Sequence, residues 1–344
     1  MEETVTQVNP SKILQIGTGF WESKTVLTAV NLKLFTYLAS GELSGQEIKT
    51  KCGLHERSLY DFLDALVALG FLKRKGLKEN ALYSNTDDTD LFLDKNKPSY
   101  VGGMLEMLNN RSYHFWNDLE EGLKTGKPQN EIKISGKSAF EAIYSSKEKI
   151  HEFINAMSGV QMGNFIAFSK TFDFSNYKTL CDIGGAGGFL SAHVALNNDH
   201  MKCVSFDLPQ VTPVATENIR NMGLMDKVSV QSGDFLNEDF PKADIIIMGN
   251  ILHDWGTKDK MMLIKKAYDA LPEGGSLVAI ENIIDNDRRQ NAFGLLMSLN
   301  MLIETEEGFD FTGDDFEHWA KESGFKETSV TPLEGPSSAA IAIK

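Results

Sequence analysis

Apolar positions in the first half of the chain fall mostly on a helical period. Between Glu22 and Ser40, Val26, Leu27, Val30, Leu34, Phe35 and Leu38 recur at spacings of three and four, which predicts one amphipathic helix with Gly41 at its stop. Ser44 precedes Glu47 by three, the spacing of a reciprocal N-terminal cap, and Gly53 closes the short helix that follows. His55 to Gly70 is a third amphipathic run, after which FLKRK, a turn at Gly76 and ALYSNT read as two short strands. Two more helical stretches lie between residues 98 and 172, the second formed by KSAFEAIYSSKEKIHEFINAMSGVQMGNFIAFSKTF.

Past residue 175 the period changes. YKTLCDIGG, KCVSFDLP, KVSVQSGDF, ADIIIMGNIL and SLVAIENII read as strands, separated by the helical segments FLSAHVALNN, TPVATENIRNMG and KDKMMLIKKAYDAL. That alternation predicts βαβ units and a parallel sheet. In such a sheet the ligand sits at the carboxyl ends of the strands, so those loops are the ones to read for chemistry.

Composition narrows the class. With 344 residues, 42% apolar and 24% charged, the chain has the profile of a globular protein of about two domains. Lys plus Arg is 34 against 48 Asp plus Glu, a formal charge of −14 that argues against wholesale nucleic-acid binding. Three helices and a two-stranded wing form a pattern shared with DNA-binding modules. The third helix, however, carries one Arg and no Lys between His55 and Gly70, so an interaction or dimerisation role is expected. Cys52, Cys181 and Cys203 form no C-x-x-C pair, which points to a reducing compartment without zinc or disulfide frameworks. MEETVTQVNP lacks the basic and apolar regions of a signal peptide, and no apolar run approaches the roughly 18 residues of a membrane span. A cytoplasmic protein is expected.

The first strand-end loop is Asp182-Ile-Gly-Gly-Ala-Gly-Gly188, where glycines allow close backbone approach to a ligand. A dinucleotide fingerprint begun at Gly185 would need its third glycine at Leu190, so that reading fails. Asp207 ends the second strand, where a carboxylate can accept both hydroxyls of a ribose. Asp234 and Phe235 follow the third, an acid and a ring suited to the amine and the face of an adenine. Any one of these acids could equally cap a helix, but three at successive strand ends favour a ligand. No basic cluster accompanies them, which favours an adenosine without phosphates. The fourth loop carries His253-Asp254-Trp255, and imidazole is the side chain best matched to taking a proton near neutral pH. Asp254 and Glu281, at the end of the next strand, compete for the role of fixing its tautomer.

CDIGGAGG, FDLP, SGDF and ILHDW, in that order and spacing, together with GLHERSLYDFLDALVALGFL, resemble the S-adenosylmethionine-dependent O-methyltransferases of the caffeic acid and acetylserotonin type. The resemblance covers nearly the whole chain. It implies an α/β fold, a Rossmann-like class I methyltransferase domain behind an N-terminal all-helical winged-helix dimerisation domain. The implied division is a dimerisation domain at 1–97, a helical connector and substrate-pocket segment at 98–174, and an S-adenosylmethionine-binding domain at 175–344. It implies S-adenosyl-L-methionine as cofactor and S-adenosyl-L-homocysteine as product, and a homodimer whose partner chain helps close the pocket.

Residue by residue, Gly184 and Gly185 match the loop near the methionine part of the cofactor, Asp207 the ribose acid, and Leu208 its neighbour beside the adenine. Asp234 and Phe235 match the adenine-binding pair, and Phe153 and Met157 the helix covering the cofactor. His253 matches the general base and Glu281 an acid orienting it. The chain departs from the pattern at Ala186, where a third glycine is usual, and at Gly249, where a lysine often contacts the cofactor. It departs again at Asp310-Phe311-Thr312, where plant enzymes carry Glu-Arg-Thr and where Asp310 stands in for a second orienting acid. Met104, Met107, Trp116, Met297 and Met301 suit an apolar, adaptable pocket, though each also suits plain core packing. Arg111 suits a substrate carboxylate or a structural pair with Glu106.

These readings favour methyl transfer to a hydroxyl of an aromatic or polyketide-like acceptor. The rivals are S-methylation of a small thiol or thioether without a base, a ligand-sensing winged-helix regulator, and a nicotinamide oxidoreductase. The missing basic face counts against the regulator and the failed glycine fingerprint against the oxidoreductase. A metal-dependent transferase would need more clustered carboxylates than Asp254 adds, so no metal is expected.

Overall fold

The computed structural model describes residues 8–136, 144 and 146–344. The signal-peptide reading of the first residues and the start of the helical run at Lys137 lie outside the described residues. The chain forms two compact units, Met1–His114 and Phe115–Lys344, so residues 98–114 belong to the first and 115–174 to the second.

In the first unit the stretch read as one helix is two, Ser11–Asn31 and Leu34–Leu38. The break falls at Lys33, whose φ of 57° is left-handed. The first helix begins well before Glu22, because Ile13, Leu14, Ile16, Phe20 and Trp21 are helical yet exposed and so set no inward-facing rhythm. The cap read from sequence is present on the Gly45–Cys52 helix: Glu47 N donates to Ser44 Oγ at 3.3 Å and Ser44 N donates to Glu47 Oε2 at 2.8 Å. The Glu56–Ala68 helix turns Leu59, Leu63 and Leu66 into a core with Leu34, Phe35, Ile48 and Tyr83. β1 (Leu43–Ser44), β2 (Leu72–Lys75) and β3 (Leu82–Asn85) form an antiparallel sheet in the order β1-β3-β2. Glu106 accepts from Lys95 Nζ at 3.0 Å and from Tyr100 Oη at 2.8 Å.

The second unit is built on a seven-stranded sheet. Its strands are β4 (Thr179–Ile183), β5 (Lys202–Asp207), β6 (Val228–Ser232), β7 (Ile245–Gly249), β8 (Ser276–Glu281), β9 (Glu327–Pro332) and β10 (Ser338–Ile343), in the order β6-β5-β4-β7-β8-β10-β9. The first five are parallel, and β10 runs antiparallel between β8 and β9. The final hairpin had no clear sequence signal: β9 is largely exposed and half of β10 is alanine. β4 and β7 are buried nearly throughout, as expected of strands covered on both faces. One face packs on the helices Thr257–Ala270 and Gly313–Ser323, the other on Lys147–Thr171, Phe189–Asn197 and Thr212–Asn221. The chain leaves β4 for β5 and β6 on one side, then crosses to β7 and β8 on the other. That reversal places the ligand crevice at the carboxyl end of β4. Among the described residues no helix is long and apolar enough to cross a membrane.

Candidate active site

The loop after β4 is shaped by its neighbours. A Cβ on Gly184 would lie 2.4 Å from Ile251 Cδ1, and one on Gly185 would lie 2.3 Å from Ser205 Oγ and 3.0 Å from Asp182 Oδ2. Gly184 N and Gly185 N both donate to the Phe206 carbonyl, which ties the loop to β5. Ala186 holds a left-handed φ of 45° where a glycine would be unstrained. Beneath the loop Asp182 is buried, and burial, with the Asp207 charge nearby, pushes its carboxyl up to about 8.

Asp207 ends β5, buried, with Oδ2 accepting from Ala186 N at 2.8 Å and Oδ1 from Leu208 N at 2.7 Å. Burial raises it to about 6, and these two bonds act in the opposite direction. Each oxygen keeps a lone pair, the acceptor capacity that two ribose hydroxyls would need. Leu208 and Ala186 pack against a cluster formed by Ile150 and Ile154 of the Lys147–Thr171 helix with Val211 and Val214. Phe153 and Met157 lie on that helix, both half-buried, with the Phe153 ring against Tyr144 at 6.3 Å. Ile154 and Tyr144 were not singled out from sequence. Tyr144 sits where the charges of both Asp207 and Asp254 reach it, and its phenol is raised, chiefly by burial.

Asp234 spends its carboxylate locally, accepting from Leu236 N at 2.9 Å and Asn237 Nδ2 at 2.7 Å. Phe235 meets the Trp255 ring edge-on at 6.0 Å. Lys266 was also missed: its Nζ donates to the carbonyls of Phe235, Leu236 and Glu238 at 2.8, 3.0 and 2.7 Å, anchoring this loop to the Thr257–Ala270 helix. Gly249 ends β7, and an added Cβ there would meet only Phe165 Cε1 at 3.8 Å, ordinary contact.

His253 lies in the turn Leu252–Asp254 after β7 and is buried. Its Nδ1 is 3.5 Å from Asp310 Oδ1 and 3.7 Å from Glu281 Oε2, while its Nε2 is 3.6 Å from Asp254 Oδ1. Glu281 Oε1 accepts from Ile251 N at 3.1 Å and Leu252 N at 2.9 Å, so the end of β8 fixes the turn that presents the imidazole. Asp310 N donates to Ser298 Oγ at 3.2 Å. His253 Nδ1, Glu281 Oε2 and both Asp310 oxygens are buried without a hydrogen-bond partner. Burial disfavours the imidazolium, but Glu281, Asp254 and Asp310 together outweigh it and raise His253 to about 10. Burial lifts Glu281 to about 7 and Asp254 to about 6, with His253 acting against both.

Of the residues read from sequence as pocket candidates, Met104, Met107 and Arg111 belong to the first unit and are half-buried. In the second, Trp116 Nε1 donates to Asn300 Oδ1 at 2.8 Å, Asn300 Nδ2 lies 4.0 Å from Met297 Sδ, and Met301 is buried. Asn300 carries no apolar or motif signal and was not foreseen.

A parallel sheet with a glycine turn after β4, an acid ending β5 and a histidine turn after β7 defines a Rossmann-like methyltransferase. The glycine cradle, closed to any Cβ, and the buried Asp207 fit the methionine and ribose portions of S-adenosylmethionine. An O-methyltransferase domain matches residues 116–326 and an O-methyltransferase dimerisation domain residues 14–95. The chain is 36% identical to the tetracenomycin polyketide synthesis 8-O-methyl transferase TcmO of Streptomyces glaucescens, over 97% of each chain. It is 30% identical to acetylserotonin O-methyltransferase of Gallus gallus, over 96% of each. Its fold matches human N-acetylserotonin methyltransferase in complex with S-adenosylmethionine at a TM-score of 0.90, with 27% identity and 99% of each chain covered. The chain belongs to this family of S-adenosylmethionine-dependent O-methyltransferases.

Proposed function

We propose that the enzyme methylates a hydroxyl of a polycyclic aromatic, polyketide-type acceptor, with His253 as general base. The observation that carries this reading is the buried imidazole at the carboxyl edge of the sheet, its Nδ1 facing Glu281 and Asp310. In this reading Nδ1 keeps its proton toward Glu281 and Asp310, and Nε2, which lies 3.6 Å from Asp254 Oδ1, takes the proton of the acceptor. The relative TcmO is named for 8-O-methyl transfer in polyketide synthesis, which supports the acceptor class.

Bound S-adenosylmethionine supplies an electrophilic methyl group on a sulfonium. Asp207 and the Gly184–Gly185 turn would hold it, and Trp116, Met297 and Met301 would offer apolar surface to a flat acceptor. With the cofactor bound, His253 would take the acceptor's proton as the acceptor oxygen receives the methyl group. A phenol has a pKa near 10, and positioned base assistance is worth about 10² to 10⁴ in rate. Glu281 and Asp310 stabilise the imidazolium that forms. The first unit is read as a winged-helix-type module that pairs two chains into a homodimer, supported by the dimerisation-domain match and by the exposed Ile13, Ile16, Phe20 and Trp21. Three free cysteines are in keeping with a cytoplasmic setting, and the polyketide relative with secondary metabolism.

The test is a mass-spectrometric screen with labelled S-adenosylmethionine against hydroxynaphthoates, multi-ring polyphenols, aryl amines and small thioethers. Products methylated on a ring hydroxyl are expected. Exclusive methylation of thioethers would overturn the proposal.

A further inference from the structure

Lys260 lies on the inner side of the Thr257–Ala270 helix, in line with buried Leu263, Ile264 and Ala267, and is itself fully buried. Desolvating an ammonium is costly unless its charge is answered, so such a lysine calls for an explanation. Its Nζ donates to the Trp255 carbonyl and lies 3.5 Å from the centre of the Phe309 ring, with the Phe311 and Trp319 rings at 5.8 and 6.0 Å. Trp255 is two residues past His253, and Phe309 directly precedes Asp310. One ammonium therefore joins the turn that bears the base to the segment that bears the second acid.

The charges facing this ammonium are Glu281 at the end of β8, Asp310 in the loop after Phe309, Asp254 in the base turn, and Asp315 on the Gly313–Ser323 helix. The same Glu281, Asp254 and Asp310 face His253, and Glu304 faces Asp254. Three carboxylates around one imidazole hold its proton tightly. A second cation among them opposes the imidazolium and so eases that hold.

We propose that Lys260 is a positioning residue for methyl transfer. Its buried ammonium fastens the Trp255 and Phe309 segments around His253 and, as a second positive charge among Asp254, Glu281 and Asp310, keeps the imidazole able to release its proton. The catalytic half of this proposal rests on His253 being the base; the electrostatic half does not. Burial lowers Lys260 to about 8, with Glu281, Asp310 and Asp254 acting against it, so the ammonium persists at neutral pH.

The experiment is an NMR pH titration of histidine-labelled full-length enzyme with S-adenosylhomocysteine, in wild type, Lys260→Met and Lys260→Gln, with the His253 signal assigned by its loss in His253→Gln. Removing the charge is expected to move the His253 midpoint upward by about one unit or more in each folded variant. An unmoved midpoint overturns the proposal, whatever the variants do to thermal stability. Should neither variant fold, the wild-type Lys260 Nζ resonance decides: a charged ammonium at pH 7 supports the proposal and a neutral amine there overturns it. Turnover separates the two readings. If the acid limb of the hydroxynaphthoate methylation profile follows the midpoint, Lys260 acts through the base. If the midpoint moves and the limb does not, the coupling stands and His253 is not the base.

Discussion

At the scale of single residues, His253 answers opposing demands. Burial would strip its proton, and three carboxylates restore it, leaving the imidazole raised to about 10. The sign of the consequence follows: below that value the protonated, non-basic form dominates, and the competent base grows as pH rises toward it. The rate of methyl transfer at saturating cofactor and acceptor is therefore expected to climb between pH 7 and 9. A flat profile over that range would contradict this. The glycine turn gives a contrasting pair. Gly185→Ala forces a Cβ to within 2.3 Å of Ser205 Oγ, and overpacking of that kind costs about 1–3 kcal/mol, roughly a 5- to 150-fold loss of S-adenosylhomocysteine affinity by calorimetry. Ala186→Gly relieves a left-handed alanine but frees the unfolded chain. These effects are each of about 1 kcal/mol and opposed, so affinity and melting temperature are expected to stay nearly unchanged.

At the scale of elements, the helix after the base turn does more than cover the sheet. Its Lys266 holds three carbonyls of the Asp234–Glu238 loop, two of them beside the adenine-type pair. Lys266→Met is expected to weaken S-adenosylhomocysteine binding on the order of tenfold, with the enzyme still folded. Unchanged affinity would mean the loop holds its shape without the tie. Such features mark the limit of what the sequence made legible. Asp207 and Glu281 were readable because each closes an apolar strand, and His253 because it follows one within a few residues; the strand pattern tells which loops meet. Lys260 and Lys266 were not, since a lysine on an amphipathic helix reads as solvated surface until the helix is docked. Asn300 and Tyr144 were hidden for a related reason, because their partners are 184 residues away in one case and set by electrostatic reach in the other. The β9–β10 hairpin escaped because alanines and an exposed edge give no alternation.

At the scale of the whole molecule, the Ser11–Asn31 helix leaves Ile13, Leu14, Ile16, Phe20 and Trp21 exposed, more apolar surface than one solvated helix normally shows. In the proposed homodimer this face is covered. Light scattering is expected to give the mass of two chains for wild type and of one chain for an Ile16→Glu, Trp21→Glu double variant. A double variant that stays dimeric at micromolar concentration would move the interface elsewhere.

The central claim is that this O-methyltransferase works through a base at His253. The measurement that tests it most directly is single-turnover methyl transfer to a hydroxynaphthoate by wild type and His253→Ala, with S-adenosylhomocysteine affinity measured on both. The account expects affinity unchanged within about twofold and a rate lower by about 10² to 10⁴. A His253→Ala enzyme that binds the cofactor product normally and transfers methyl at the wild-type rate would contradict it.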